Sequence, residues 1–590
     1  MAAGKPTYQN LFRDEDPHFL EELRQTHPMP ELAAFADEWA ADPREWAREQ
    51  QMRYLSLPWN VPGHEPLIKH LLKAAETKQA DELMAVCLVA VDRLVRREPT
   101  LRWRYDWVAQ SGWEEWTLVN PRNTLLKPPP KREFRNPITG RMRSIPRSQP
   151  RDGVLFSYHT RYYLRRRVWR YFRWMGYRRP GEYLVAISHA LVLYTNDDLA
   201  SGENLLDCWG LIHACFHGSE VLERTSSLVN VAPGRSLAEL KPAPYFPDLW
   251  KSSDAFDVLW FLLQNARSRP IRVWAMELLR EHHSDRFSDV PIDELLELFK
   301  HEEEEVQQFA AELFRKARGL EALPLETWLS LLELKNPLAL SAVCETMIEH
   351  VRPERLALSD CLRLTMVEPT PVARLGLGYL RQRTFKTTED RERLAQAADL
   401  RCQAIAADLT AWALPILGSD GNYNRDLVLR FFDSLNQAVR DAAWTWLLDD
   451  VNPTQRDAAS DPVLWVRLLE TPFEDVRLRV IDALEHRNSS GAARPSGDAL
   501  APLWTSVLLG VHRGGRQKLK AIRQLTAAIQ KHPSRLETLL PVLAVALRSV
   551  RRPEMREALS AVATLADSES ETLAMLASEL PELELNEPPV

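Results

Sequence analysis

The sequence predicts an all-α chain organised as an α-solenoid, and three observations carry that expectation. Glycine is scarce, 21 in 590 residues, roughly 4% against a usual ~7%, while Ala and Leu recur throughout. That composition argues against a Gly-rich α/β nucleotide fold or a turn-dense β-sandwich. Apolar residues make up 45% and charged residues 27% of the chain, enough for packed cores and unlike a disordered polyelectrolyte. From about residue 252 one theme repeats: an apolar-periodic helix, a short turn often carrying Pro or Asp/Glu, and a second helix with a small residue at a fixed place.

Residues 1–120 read as an N-terminal helical region, broken by Pro58, Pro62 and Pro66. The stretch LIKHLLKAAETKQADELMAVCLVAVDRLVRR follows as two amphipathic helices joined near Thr77 to Ala80. Trp103, Trp107, Trp113 and Trp116 read as core aromatics, with a stacking platform for bases or sugars as the alternative. Residues 121–152 hold seven prolines and a dense run of basic side chains against two acidic ones. No helix survives that composition, and a long Pro/Arg-rich extended loop is expected, with a turn at Asn136 to Gly140.

Residues 153–232 form a second helical region around an arginine-rich helix. Leu164, Val168, Phe172 and Met175 make an apolar stripe, while Arg165, Arg166, Arg167, Arg170 and Arg173 occupy the remaining faces. Gly176 and Pro180 are expected to end the helix. From Arg122 to Pro180 there are 17 Lys/Arg and two acids in a chain whose net charge is −7, so one strip is intensely cationic inside an acidic protein. Three readings compete for it: guanidinium forks on nucleic-acid phosphates with aromatic rings on exposed bases; internal glue against the chain's own carboxylates and tryptophans; or an acidic protein partner. The candidate binding residues are Arg141, Arg143, Arg161, Arg165, Arg166, Arg167, Arg170 and Arg173.

DCWGLIHACFHGS invites a metal reading, since His213 and His217 share a helical face. One helix cannot present Cys208 and Cys215 to the same tetrahedral ion, so no metal site is expected. NLLDCWGLIHACF reads as a buried helix packed on EYLVAISHALVLY. Gly376-Leu-Gly378 and His64-Glu65 are coincidental matches to cofactor and zinc motifs. No catalytic residue and no cofactor is expected.

After a linker at 233–251, the repeat array spans 252–575. Its second helices align as Ile271 with Ala275, Val306 with Ala310, Leu338 with Ala342, Val372 with Gly376, Leu400 with Ala404, Val439 with Ala443, Val476 with Val480, and Met555 with Leu559. A branched residue followed four later by a small one lets the next helix approach closely. The phrases DAFDVLWFLLQNARSRPIRVWAMELLREH, PIDELLELFKHEEEEVQQFAAELFRKA and DPVLWVRLLETPFEDVRLRVIDALEHR resemble HEAT-like repeats of the armadillo-type helical superfamily. In the third, Asp475 and Val476 stand at the turn and Arg477 and Arg479 follow; the repeats near Leu338 and Leu400 lack the Asp-Val pair. The resemblance implies stacked helical hairpins and an extended binding surface. A second basic zone between Arg513 and Arg556 includes Arg516, Lys518, Lys520 and Arg523. It lies beside a C-terminal segment without Lys or Arg, expected to be a capping helix and, over 576–590, an acidic tail that could screen the zone.

No signal peptide and no apolar run of membrane-spanning length is evident. The six cysteines sit in apolar helical patterns as reduced, buried thiols, so a cytoplasmic protein away from membranes is expected. The function these features favour is a non-enzymatic helical-repeat scaffold for protein–protein interaction. The alternative is a DNA- or RNA-binding protein using the strip 122–180 and the zone 513–556.

Overall fold

The computed structural model describes the chain outside residues 1–6, 27–30, 62, 95, 120–130, 136–141, 147–155, 226–227, 420, 450, 452, 491–493, 496–497, 511–514, 568–569, 584 and 586–590. The described chain is overwhelmingly helical, and it divides into two compact units, residues 1–318 and 319–590.

The first unit opens on short helices held by aromatic rings. Phe12 meets Phe19, Phe35 and Trp39 at centroid distances of 5.2, 5.2 and 6.0 Å, mostly the tilted and edge-on arrangements that ring quadrupoles favour. Glu65–Thr77 and Asp81–Leu94 form the expected pair. Nearly every residue of the second is buried, because it packs against the helices at 45–56, 158–178 and 180–193 at once.

After this pair the sequence reading needs correction. Residues 98–119 are not helical: β1 (Glu98–Asp106) and β2 (Ser111–Val119) form an antiparallel hairpin. Leu101, Trp103 and Tyr105 alternate with Arg102 and Arg104, a period of two that outweighs the four-residue spacing of Trp103 and Trp107. The Asp106 carboxylate closes the turn by accepting from the Val108 and Ala109 amides at 2.8 and 3.2 Å. Gly112, the register partner of Tyr105, leaves room for the diagonal Trp103 indole, which lies 2.2 Å from where a Cβ would stand. In the expected Pro/Arg loop, β3 (Lys131–Arg135) pairs with β4 (Met142–Pro146). A third hairpin, β5 (Leu222–Arg224) with β6 (Val229–Val231), lies in the region read as helical.

The arginine helix, Tyr158–Arg178, is capped by the Ser157 hydroxyl, which accepts from the Thr160 amide. Its stripe of Leu164, Val168, Phe172 and Met175 is buried as expected. Gly176 does not end it. A Cβ there would fall 2.2 Å from the Phe246 ring, so Gly176 is a close-packing site, and Pro180 stops this helix and starts the next, Pro180–Leu193. The segment NLLDCWGLIHACF breaks at Cys208 into Gly202–Asp207 and Trp209–Phe216. The second piece packs on 81–94 and on the arginine helix.

Helical hairpins follow in both units, as the repeated theme predicts. In the first they include Ser253–Asn265 with Arg269–His282 and Ile292–Phe299 with Glu304–Phe314; in the second, Arg425–Phe432 with Gln437–Leu447, Pro462–Glu470 with Glu474–Ser490, and Leu536–Leu547 with Arg552–Ala566. Ile271, Ala275, Val306, Ala310, Val372, Gly376, Val439, Ala443, Val476 and Val480 are all buried anchors. Three alignments fail. Leu338 is 66% exposed, its helix burying Ala339, Leu340 and Val343 instead; Leu400 and Ala404 precede the helix Ala406–Gly418 rather than lie on it; and Leu559 faces solvent while Ala558, Ala561 and Val562 are buried.

One device ties successive hairpins. Buried Arg272 donates to the Ala266 carbonyl at the end of its own first helix (2.8 Å) and to Glu305 in the first turn of the next second helix (2.7 Å). Arg440 does the same with the Ser434 carbonyl (2.7 Å) and Asp475 (2.8 Å), and Lys518 with the Leu508 carbonyl (2.9 Å) and Glu554 (3.6 Å). Each cation satisfies an orphan helix C-terminal carbonyl while its acid sits at a helix N-terminus, where negative charge is favoured. The last described helix, Ser570–Glu579, packs on the two before it.

Candidate functional site

The arginine helix sorts its guanidinium groups by depth. Arg161 and Arg165 are buried, which removes them from the expected binding surface. Arg165 lies close to the Trp209 ring and in the field of Asp92 and Asp207; burial pushes its pKa down. Asp92 is itself fully buried, accepting from the Tyr194 hydroxyl at 2.7 Å and from the Gly210 and Leu211 amides at 3.0 Å, and burial raises its pKa. Around it, Arg93 chelates Asp198 at 2.9 and 2.8 Å, and Arg97 bonds Asp207 and, at 2.8 Å, Asn230. Of the cationic strip itself, Arg161 and Arg165 are turned into this buried region.

Arg166, Arg170 and Arg173 face solvent. They recur at i, i+4 and i+7, one side of a helix. Arg166 stacks over Tyr162 at 5.3 Å. Arg167 is partly buried, pairing with Glu76 at 2.5 Å and donating to the Tyr163 hydroxyl at 2.9 Å; Arg170 reaches the same Glu76 at 3.4 Å. Arg143 lies on β4, but its side chain, like that of Trp116 and all of Arg141, lies outside the described residues.

Beside these arginines runs a cleft of about 600 Å³ walled by Trp169, Trp209, His213, His217 and Tyr245. His213 lies parallel to Trp169 at 5.4 Å, and Tyr245 meets Trp169 edge-on at 5.6 Å. The Nδ1 atoms of His213 and His217 are 2.9 Å apart, so one ring donates and the other accepts. Burial, then the neighbouring imidazole and arginines, depress His213 to about 3; burial and Arg224 depress His217 to about 4. Both rings stay neutral at physiological pH. The sequence brought these two histidines to attention only as candidate metal ligands; their use as a neutral wall depends on the arginines and tryptophans that folding places around them.

The secondary zone is largely self-paired. Lys518 is buried in the inter-hairpin tie, Lys520 bonds Asp482 at 2.7 Å and Arg523 bonds Glu557 at 2.6 Å, while Arg516 is exposed. Arg548 meets Glu582 at 2.9 Å, so C-terminal acids do screen part of this zone. All six cysteines are free and buried. Among the described residues no helix is long and apolar enough to cross a membrane.

The other conspicuous surface is the β1–β2 hairpin. Trp103 and Trp107 are 66% and 78% exposed, with Leu101, Tyr105, Val108 and Trp113 also open to solvent. The expectation that these tryptophans form a helical core is therefore overturned.

No family model matches the chain, and no curated protein matches it. Among solved structures it is similar to Kap121p bound to Nup53p, at 14% identity and a TM-score of 0.29, covering 72% of this chain and 46% of that one. It is also similar to Kap121p bound to Ste12p, at 15% identity and a TM-score of 0.28, with the same coverage. A third likeness is to Kap95p in a study of its binding to RanGDP, at 10% identity and a TM-score of 0.21, covering 94% of this chain and 63% of that one. The chain spans about half the length of the first two. Its helical-hairpin architecture rests on its own contacts.

Proposed function

We propose that this chain is a non-enzymatic helical-repeat scaffold that docks a protein partner through the β1–β2 hairpin. The supporting observation is the exposure of Trp103 and Trp107 on a hairpin whose one face carries Leu101, Trp103 and Tyr105 in succession. Large aromatics held open to water are costly unless another surface covers them, and Trp, Tyr and Arg are the residues that dominate interface energies when seated in a partner's pockets. Exposed Arg102 and Arg104 alternate with Leu101, Trp103 and Tyr105 and carry the charge of the hairpin's opposite face. The arginine helix, with Arg161 and Arg165 buried, is an ordering element of the same unit. The partner is a protein with an apolar groove.

The test compares proteins captured by the full chain with those captured by a Trp103→Ala/Trp107→Ala variant of unchanged helicity and melting temperature. Partners retained by the first at stoichiometric level and lost by the second are expected. Identical capture by both overturns the reading, as does binding to phosphatidylcholine vesicles that the variant loses, since that would make the hairpin a membrane anchor.

A further inference from the structure

We propose that the cleft beside the arginine helix binds a nucleoside phosphate, its phosphates on Arg166, Arg170 and Arg173 and its base against the Trp169, His213 and Tyr245 wall. This goes beyond the scaffold reading and uses a different surface.

Among the described residues that line the cleft there is no Asp or Glu; the polar groups are arginines, tyrosines, a threonine and two histidines. Glu76 reaches Arg167 and Arg170 from the adjacent helix, leaving Arg166 and Arg173 with tyrosines as near neighbours. Four arginines against the single carboxylate of Glu76 favour an anionic ligand, and guanidinium forks match phosphate oxygens best. The same imbalance shows in the hydrogen bonds. The indole Nε1 of Trp209 and the Nε of Arg167, both on residues that line the cleft, are buried donors without an acceptor among the described residues. A buried donor left in this state calls for an acceptor. The neutrality of His213 and His217 reports the same field: two imidazoles in contact are denied a proton by burial and the surrounding guanidinium groups.

Charge alone would suit inorganic phosphate. The aromatic wall points to a ring as well, since stacking a base on aromatic faces adds affinity that a bare anion cannot use. At about 600 Å³ the cleft is of the size that takes a ligand of one base, one sugar and two or three phosphates.

The test titrates the full chain at low salt with ADP and GDP, following tryptophan fluorescence and heat, with pyrophosphate, adenosine and a single-stranded oligonucleotide as comparison ligands. Saturable binding of a nucleotide is expected, at least about tenfold tighter than pyrophosphate or adenosine. Arg166→Gln with Arg170→Gln should weaken it about tenfold or more, as loss of charge-assisted hydrogen bonds requires. Tyr245→Leu, which leaves every arginine in place, should weaken the nucleotide and leave pyrophosphate unchanged. Equal affinity for pyrophosphate and nucleotide overturns the proposal, as does an oligonucleotide that binds more tightly than either nucleotide. No binding at millimolar concentration by a chain that retains its melting temperature also overturns it.

Discussion

At the scale of single residues, the sharpest contrast lies between arginines that look alike in the sequence. Arg440 is buried and holds two carbonyls and Asp475, whereas Arg430 meets Asp399 at 3.2 Å on the surface. Arg440→Met should lower stability by about 2–3 kcal/mol, since it strands buried acceptors and a half-buried carboxylate. Arg430→Met should change it by no more than about 0.5 kcal/mol; urea unfolding of the two variants compares them directly. Gly376 makes a second residue-level case. A Cβ there would stand 2.5 Å from the Thr365 backbone nitrogen, so Gly376→Ala should cost about 1–3 kcal/mol despite the better helix propensity of alanine. His213 gives a pH dependence. Its folded-state value of about 3 lies below that of the unfolded chain, so as pH falls the unfolded state takes the proton first and stability drops. The His213 share of the loss between pH 7 and 5 should be about 2 kcal/mol; His217, depressed to about 4, adds to it, so His213→Gln should lessen the slope without abolishing it. A melting temperature that holds constant over that range in the unaltered chain would contradict this account.

At the scale of elements, the β1–β2 hairpin and the arginine helix show how far local pattern reaches. The alternation Leu101-Arg102-Trp103-Arg104-Tyr105 was present in the sequence, but Trp103 and Trp107 also fit a helical spacing, and flanking helices favoured that alternative. Strand pairing with residues 111–119 decided between them, and pairing is a contact that no single segment encodes. The arginine helix was legible in its apolar stripe, because burial of Leu164, Val168, Phe172 and Met175 follows from periodicity. Which arginines stay outside was not legible. Arg165 and Arg166 are neighbours in sequence, and the helices packed against theirs, at 65–77, 81–94, 180–193 and 209–216, separate the buried from the exposed. The hairpin alanine variant described above should therefore leave urea stability unchanged within about 0.5 kcal/mol, since its side chains bury little surface.

For the molecule as a whole, stability comes from contacts between successive hairpins within each unit. In such an array a local defect should stay local. Leu576 is fully buried in the terminal helix Ser570–Glu579. Leu576→Ala should cost its neighbourhood about 2–4 kcal/mol and speed hydrogen exchange over residues 536–579, leaving 425–447 protected. Faster exchange throughout the second unit would instead mean that it opens as one cooperative block.

The sequence by itself determined the helical class, the hairpin theme after residue 252, the buried thiols and most of the branched-then-small anchors. Those follow from periodicity and residue size, which are properties of short segments. Tertiary structure alone decided which cations close the chain on itself and which line the cleft, and it set Trp103, Trp107 and Trp113 in solvent. Charge pairing and burial depend on what arrives from tens of residues away, and a linear pattern of arginines is the same whether a carboxylate meets it or not.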